Sequence, residues 1–282
     1  MKYRTEAASS GLLALALLGS NAWAAPATTN LPTMVVTATT TERSTADAPA
    51  SVSVVAGNEL RRRPVNDLAD AVRNTVGVDL EDLGLGRRGV SIRGMNSEQT
   101  LMLVDGQRIS ASASGIAHSD FELGWVPTEA IERVEIVRGP MSSLYGSEAL
   151  GGVVNVITRA ATDEWQGSLS SSATFTDSSL DGDQRKTGFY LGGPLVDGTL
   201  GLNLWGEFRQ RDALHDAANP ALSQLDEQDA RTGHLGLSWT PLDNQRIDLL
   251  VDAGNEEQDG DRSSTASPLY QTHYDVDRRR YS

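Results

Sequence analysis

The chain has 282 residues, of which 39% are hydrophobic, and it contains no cysteine. Its 38 acidic residues outnumber 24 basic ones and give a formal charge of −14. This balance argues against a nucleic-acid partner, because phosphate recognition needs a basic face. The absence of cysteine fits an exported protein, although cytosolic proteins also lack it. No apolar run beyond the N-terminus approaches the ~20 residues of a spanning helix, which excludes a helical membrane protein and leaves a membrane β-barrel open.

Residues 1–24 have the three parts of a secretory signal peptide. Lys2 and Arg4 make the start positive, residues 12–18 are apolar, and Ala22-Trp23-Ala24 supplies the small residues of a cleavage site. The apolar core is too short for a membrane anchor. We therefore predict export, with cleavage near Ala24.

The tail that follows is polar except for one short strand-forming run. Residues 25–33 have little to bury and are expected to be mobile. The run itself is Met34-Val35-Val36-Thr37-Ala38-Thr39. It is either an edge strand of the first domain or a peptide that another protein captures by adding it to its own sheet. Residues 40–47 are expected to be a linker.

Local patterns after residue 50 predict a small α+β domain. Ser51 to Val55 alternates as a strand, and Asn66 is a plausible N-cap for a helix from Asp67 to about Thr75. The clearest hairpin has the turn Asp105-Gly106 between two β-rich runs, since this pair supplies the two positive φ values of a type I′ turn.

Residues 131–158 organise the rest of this domain. They predict a buried strand, a short helix through Ser142 to Leu144 that Gly146 closes, the pair Gly151-Gly152, and a second buried strand. The stretch contains no nucleophile with a base beside it, no metal-ligand cluster and no phosphate loop. Its composition indicates close packing rather than catalysis.

Residues 84–89 match the G-x-G-x-x-G pattern of dinucleotide-binding folds. That fingerprint must follow a buried strand and open a helix. Here an acidic segment precedes the pattern, and residues 89–94 alternate like a strand. We therefore interpret it as a glycine-rich loop.

From Trp165 onward the sequence has the period of two that is typical of strands. One such run alternates Leu200, Leu202, Leu204 and Phe208 against polar residues. Connections are short at 193–198 and 241–244, and longer and polar at 177–184 and 211–230. An acidic run at 256–261 is expected to be a solvated loop, because it lacks the spacing of a calcium loop. These features favour an outer-membrane barrel over a soluble sandwich.

Two segments carry a family resemblance. LMLVDGQRI at 101–109 and RGPMSSLYGSEALGGVVNVIT at 138–158 resemble the plug domain of TonB-dependent outer-membrane receptors. The second segment is most similar to the colicin I receptor and ferric-enterobactin receptor branch.

The resemblance implies a domain order. A signal peptide (1–24) and a periplasmic tail with a TonB box (25–47, box 34–39) precede an α+β plug domain of a small mixed sheet and short helices (48–160). The first five or so antiparallel strands of a ~22-strand transmembrane β-barrel follow at 161–282. Because five strands cannot close in lipid, the sequence reads as the N-terminal fragment of a longer receptor.

The resemblance also implies a function. It points to energy-coupled uptake of ferric catecholate siderophores across the outer membrane, with no enzymatic activity, metal site or cofactor. The implied partners are the inner-membrane transducer TonB, the ferric siderophore and outer-membrane lipid, and colicins and phages exploit such receptors. The alternatives are a receptor of the same fold for haem or cobalamin, which His118 and His215 support poorly, and a TonB-dependent signalling receptor, which needs a further domain ahead of the box.

Specific residues receive roles from the resemblance alone. The TonB box comprises Met34, Val35, Val36, Thr37 and Ala38. The outward-facing apex that meets the ligand comprises Arg87, Arg88, Ala113 and His118. The two arginines can equally be interpreted as an ordinary solvated pair. His118 is interpreted as a polar loop residue rather than an iron ligand. Arg93 and Arg138 are expected to pair with glutamates of the barrel wall.

Overall fold

The computed structural model describes residues 34–35, 37–38, 43–44, 50–63, 65–84, 87–109, 123–146, 148–176, 182–242, 244–263 and 269–282. Within these residues strands dominate and helices are short. The helices are α1 (Gly57–Leu60), α2 (Leu68–Val72) and α3 (Ser142–Tyr145). No helix in this part of the chain has the length and apolar content needed to cross a membrane.

The first part of the chain folds around a mixed five-stranded sheet. Its order is β3-β8-β9-β6-β7, with β6 parallel to β9 and the other neighbours antiparallel. Two further antiparallel pairs, β1–β2 and β4–β5, lie outside this sheet. The unit from β3 to β9, called the plug domain below, confirms the predicted small mixed sheet with short helices, and β1 and β2 belong to the tail that precedes it. The strands are β1 (Met34–Val35), β2 (Arg43–Ser44), β3 (Ser51–Ala56), β4 (Val78–Gly84), β5 (Arg87–Ile92), β6 (Thr100–Val104), β7 (Gln107–Arg108), β8 (Ile131–Arg138) and β9 (Gly152–Thr158).

The central strands read as continuous apolar runs because both faces of the sheet are covered. On β9, Val154 and Val156 belong to one apolar cluster and Val153 belongs to another. Gly152 at the start of β9 permits a close approach of the chain. A Cβ at this position would lie 2.4 Å from the carbonyl oxygen of Val137, and real side chains do not tolerate such a contact.

The predicted turn chemistry is confirmed at two places and wrong at a third. Asp105 and Gly106 have φ values of 50° and 75°, as a type I′ turn requires. Gly146 caps α3 with a φ of 87°. The predicted N-cap Asn66 is wrong: Asp67 caps α2, because its side chain accepts the backbone N–H of Asp70 at 2.9 Å.

The second part of the chain forms one antiparallel sheet of six strands in the order β10-β11-β12-β15-β16-β17, where about five were expected. We call it the wall sheet. A small hairpin, β13–β14, lies in the connection between β12 and β15. The strands are β10 (Gln166–Thr174), β11 (Gln184–Val196), β12 (Leu200–Arg211), β13 (Leu214–His215), β14 (Ser223–Leu225), β15 (Glu227–Leu242), β16 (Gln245–Arg262) and β17 (Tyr270–Tyr281).

The outer face of the wall sheet carries an apolar band. Leu249 of β16 lies opposite Leu237 of β15, and Ile247 lies opposite Trp239. Ile247, Leu249 and Trp239 are about half exposed. Along β16 this face is apolar from Ile247 to Ala253, which spans ~20 Å at the rise of a strand and is close to the height of a lipid-facing band. This band has the height and the alternation that are typical of the outer face of a membrane barrel.

Three segments that were predicted to be turns or loops lie wholly or partly within strands. The tight turn predicted at 193–198 is largely strand, because β11 continues to Val196 with a bulge after Pro194. The acidic run 256–261, predicted as a loop, lies within β16. The loop predicted at 211–230 is shortened at both ends by β12 and β15.

Candidate functional site

The segment predicted to be the TonB box lies against the plug domain. Its strand β1 pairs with β2, and Val35, Thr37 and Ala38 are buried. Val36 lies outside the described residues, and Met34 is described only as part of β1. The segment is therefore held by the plug domain in this state.

Thr37 makes the polar contacts that hold this segment. Its backbone N–H and its hydroxyl both donate to Oε2 of Glu135, at 2.9 and 2.6 Å. Asn155 donates from Nδ2 to the Thr37 hydroxyl oxygen at 2.9 Å. The hydroxyl of Tyr145 donates to the carbonyl oxygen of Thr37 at 2.9 Å. One residue of the tail is thus bonded to β8, β9 and α3 together.

Glu135 is the centre of this contact, which we call the Thr37 clasp (Thr37, Glu135, Tyr145 and Asn155). Its side chain is completely buried, and a buried carboxylate is stable only when its oxygens have partners. Arg133 supplies a charge partner at 2.8 Å through Nε, and Thr37 supplies two further donors. Burial, and next the charge of Glu135, raises the pKa of the Tyr145 phenol, so Tyr145 stays protonated as a donor.

The predicted ligand apex is only partly within the described residues. Ala113 and His118 lie outside them, and Arg87 is described only as part of strand β5. Arg88 bonds to two carboxylates at the start of α2, Asp67 and Asp70, the second at 3.1 Å. Burial opposes the charge of Arg88, yet these carboxylates outweigh it and raise the pKa of Arg88. The Arg88 cation is therefore largely committed within the plug domain.

Arg93 and Arg138 lie near each other on one side of the plug domain. Arg138 donates to the hydroxyl of Ser53 at 2.8 Å and to the carbonyl of Val76 at 3.0 Å. Burial, and next the charge of Arg93, lowers the pKa of Arg138. Among the described residues, no carboxylate forms an ion pair with either guanidinium. Arg93 is exposed and Arg138 is partly buried, so solvent and neutral acceptors stabilise the two charges in this structure.

Sequence reasoning missed the charges that join the wall sheet to the plug domain. Lys186 of β11 donates from Nζ to the carbonyls of Val65 and Asn66 at 3.0 and 3.2 Å. Glu207 of β12 lies 3.4 Å from that nitrogen and also pairs with Arg209. All three charged side chains are buried. In the sequence, the only sign of these contacts is that each charged residue occupies a position of an alternating strand whose side chain faces the plug domain.

A second inward cluster lies deeper in the wall sheet. The His234 ring stacks on Trp205 with ring centroids 4.8 Å apart. Its Nδ1 lies 2.6 Å from Asp252, which also accepts from Arg280 at 2.7 Å. We interpret this cluster as stabilising the wall sheet, because Asp252 is paired with both His234 and Arg280. In the part of the chain that the structure describes, no three His, Asp or Glu side chains converge as metal ligands do.

The comparisons with known proteins agree with this architecture. Residues 44–153 match the family profile of the TonB-dependent Receptor Plug Domain. The iron-regulated outer membrane virulence protein of Vibrio cholerae is 36% identical over 258 residues, which are 89% of this chain and 38% of that protein. The ferric enterobactin receptor PirA of Pseudomonas aeruginosa is 36% identical over 74% of this chain and 31% of its own length.

Solved structures give the same result. A mutant of the Pseudomonas aeruginosa ferric enterobactin receptor PfeA, in complex with enterobactin, superposes with a TM-score of 0.65 at 28% identity, covering 74% of this chain and 33% of that chain. The chain therefore spans about a third of the length of the relatives it matches.

Proposed function

The chain belongs to the family of TonB-dependent outer-membrane receptors, and on this premise we propose that it takes part in energy-coupled import of ferric siderophores of the catecholate type. The observation that carries the proposal is 36% identity, over most of this chain, to an iron-regulated outer membrane protein. Relatives named as ferric enterobactin receptors support the catecholate class. The lipid-facing band of the wall sheet supports the membrane location.

In this proposal the plug domain closes the barrel, and the tail couples it to an inner-membrane partner. A short strand-forming peptide is the form of ligand that another protein adds to the edge of its sheet. To be captured in that way, residues 34–38 must leave the Thr37 clasp. The TonB transducer is the partner that the family resemblance implies.

The paired cations Arg93 and Arg138 take a role in holding the plug domain within the barrel. Their mutual proximity and the lack of an ion-paired carboxylate among the described residues support pairing with glutamates of the barrel wall. A guanidinium that loses water without gaining a counter-charge is costly. Such pairs would anchor the plug domain while the tail moves.

The ligand apex stays a prediction for Arg87, Arg88, Ala113 and His118. Of these, Arg88 has two carboxylate partners, so it can contribute to binding an anion only in competition with them. Arg87 is the stronger candidate of the two arginines for charge-assisted bonds to a ferric catecholate.

Iron uptake by cells that carry the full-length protein tests the proposal. Radioactive iron would be supplied as a ferric catecholate, as a ferric hydroxamate or as haem, and labelled cobalamin would be tested in parallel. We expect energy-dependent uptake from the catecholate and little from the others. Uptake from haem or cobalamin alone would assign the chain to a receptor of the same fold with another ligand.

A further inference from the structure

A polar cavity of about 450 Å³ lies between the plug domain and the wall sheet. The plug domain contributes Leu80, Glu81 and Arg88 to its lining, and the wall sheet contributes Arg209 and Arg211. The volume lies within the range of small-molecule sites. The cavity joins apolar surface to several charged groups, which is the composition of a binding site rather than of a packing defect.

The arginines in this lining differ in how far their charge is compensated. Arg88 pairs with two plug carboxylates, and Arg209 pairs with Glu207. Among the described residues, Arg211 donates from Nε alone, to the carbonyl oxygen of Asp226 at 3.0 Å. Within the described ranges no carboxylate lies at ion-pair distance from the Arg211 guanidinium. Its charge is therefore the one cation of this lining without such a partner there.

A second donor in the same lining also lacks an acceptor. Nε of Arg209 is buried and has no hydrogen-bond partner among the described residues, and the residue is only 8% exposed. A buried donor without a partner is unfavourable. An anionic oxygen in the cavity would give the Arg211 guanidinium an acceptor, whereas Nε of Arg209 is buried out of reach of solvent.

The plug-domain side of the cavity carries acidic groups, which limit how much negative charge a ligand there can have. Glu81 accepts the backbone N–H of Ser97 at 2.9 Å through Oε2 and forms no ion pair among the described residues. Leu80 beside it and Leu225 across the cavity offer apolar surface. The lining thus has two arginines on the wall-sheet side, an apolar flank and two carboxylates, of which Asp67 is paired with Arg88 and Glu81 is bonded to Ser97.

We propose that this cavity is a subsite for one ring of a catecholate ligand, with the Arg211 guanidinium contacting its two adjacent anionic oxygens. This inference rests on the proposed function and adds a residue and a location to it. A guanidinium presents two parallel N–H donors, which match a pair of neighbouring oxygens. The leucines pack on the ring, and the arrangement is selective against neutral iron ligands.

The experiment measures ligand affinity of the purified full-length protein. Ferric enterobactin and a neutral ferric trihydroxamate serve as ligands, and inorganic phosphate serves as competitor. The variants are Arg211→Gln, Arg211→Lys and Glu81→Gln, with Arg231→Gln as the matched control, because Arg231 is exposed on the wall sheet and does not line this cavity. Resistance of the barrel to unfolding in detergent at room temperature verifies folding.

We expect Arg211→Gln to raise the Kd for ferric enterobactin about tenfold, equivalent to about 1.4 kcal/mol, and Arg211→Lys to recover part of that loss. Glu81→Gln should lower the Kd about threefold, since it removes a repelling charge. Arg231→Gln should bind like the wild type. If Arg211→Gln does not fold, the affinity of Glu81→Gln for ferric enterobactin tests the proposal: a lower Kd supports the subsite, and an unchanged Kd overturns it.

Each remaining outcome overturns a distinct statement. Unchanged affinity in Arg211→Gln, with normal wild-type binding, overturns the subsite and leaves the proposed function intact. Absence of wild-type binding to ferric enterobactin overturns the proposed function and the subsite with it. The catecholate assignment is overturned if phosphate competes with ferric enterobactin in the wild type and no longer competes in Arg211→Gln. It is also overturned if Arg211→Gln weakens binding of the trihydroxamate as much as binding of ferric enterobactin.

Discussion

Substituting Thr37 by valine should release the tail from the plug domain. The change keeps the shape of the side chain but removes the hydroxyl that bonds to Glu135 at 2.6 Å and accepts from Asn155 at 2.9 Å. A hydrogen bond to a charged group contributes about 1.5–3 kcal/mol, and a neutral one about 0.5–1.5 kcal/mol. The backbone N–H of Thr37 still reaches Glu135, so we take a net loss of about 2 kcal/mol, which is about a thirty-fold larger undocked population.

Thiol labelling measures that population. The 282 residues contain no cysteine, so an Ala38→Cys reporter is the one thiol among them, and Ala38 is 3% exposed when docked. When reclosing is faster than labelling, the labelling rate follows the undocked population. We expect Thr37→Val to accelerate labelling about thirty-fold and Thr37→Ser, which keeps the hydroxyl, to change it little. Equal labelling of the valine variant and its parent, or equal acceleration by serine, would refute the reasoning.

Three further predictions concern packing, pH and the wall contacts. Gly152→Ala should lower the unfolding temperature by several degrees, because the added Cβ would lie 2.4 Å from a carbonyl oxygen. Gly233→Ala is the control and should leave the unfolding temperature unchanged, because its Cβ would have nothing within 4 Å. Equal melting curves for the two variants would contradict the packing argument. The raised pKa of Tyr145 means that its bond to Thr37 is fully present below the ordinary phenol pKa of ~10 and is lost as pH rises through the higher folded value. The labelling rate of the parent is divided by that of Tyr145→Phe at the same pH, so that ionisation of the reporter thiol cancels. This ratio should rise only above pH ~10, and a rise already near neutral pH would refute the prediction. Lys186→Met should lower the free energy of unfolding in urea by about 3 kcal/mol, because it leaves a buried carboxylate with one cation fewer, and a change within error would show that this contact is dispensable.

The sequence was sufficient where a local rule decides the structure. The Asp105-Gly106 turn and the Gly146 cap follow from backbone preferences of those residues, and both have the expected φ values. The helix cap was misplaced by one residue because Asn66 and Asp67 are both good N-caps. Asp67, the residue that caps the helix, also binds Arg88, a contact that no local pattern around Asn66 and Asp67 reveals.

The sequence was insufficient where partners across strands decide the structure. The acidic run 256–261 looks like a loop by composition, yet Glu256 accepts from Gln228 at 2.7 Å across the sheet. Arg262 pairs with Asp226 in the same region. Such pairs allow a polar segment to remain a strand beyond the apolar band. Composition alone carries no trace of them.

The Thr37 clasp was beyond prediction for a related reason. Thr37 and Glu135 are separated by 98 residues, and neither belongs to a pattern that singles it out. The strand-forming run around Thr37 was visible, and it left two alternatives open. The structure shows the run docked on the plug domain, and capture by a partner stays a proposal.

Uptake and surface binding of a ferric catecholate by the same cells test the central claim most directly. Deleting residues 34–38 from the full-length protein removes the peptide that a transducer would capture and leaves the ligand-facing side unaltered. We predict that energy-dependent iron uptake is abolished while surface binding keeps its wild-type affinity. Loss of binding together with uptake would show that the segment only stabilises the plug domain, and undiminished uptake would contradict coupling through this tail.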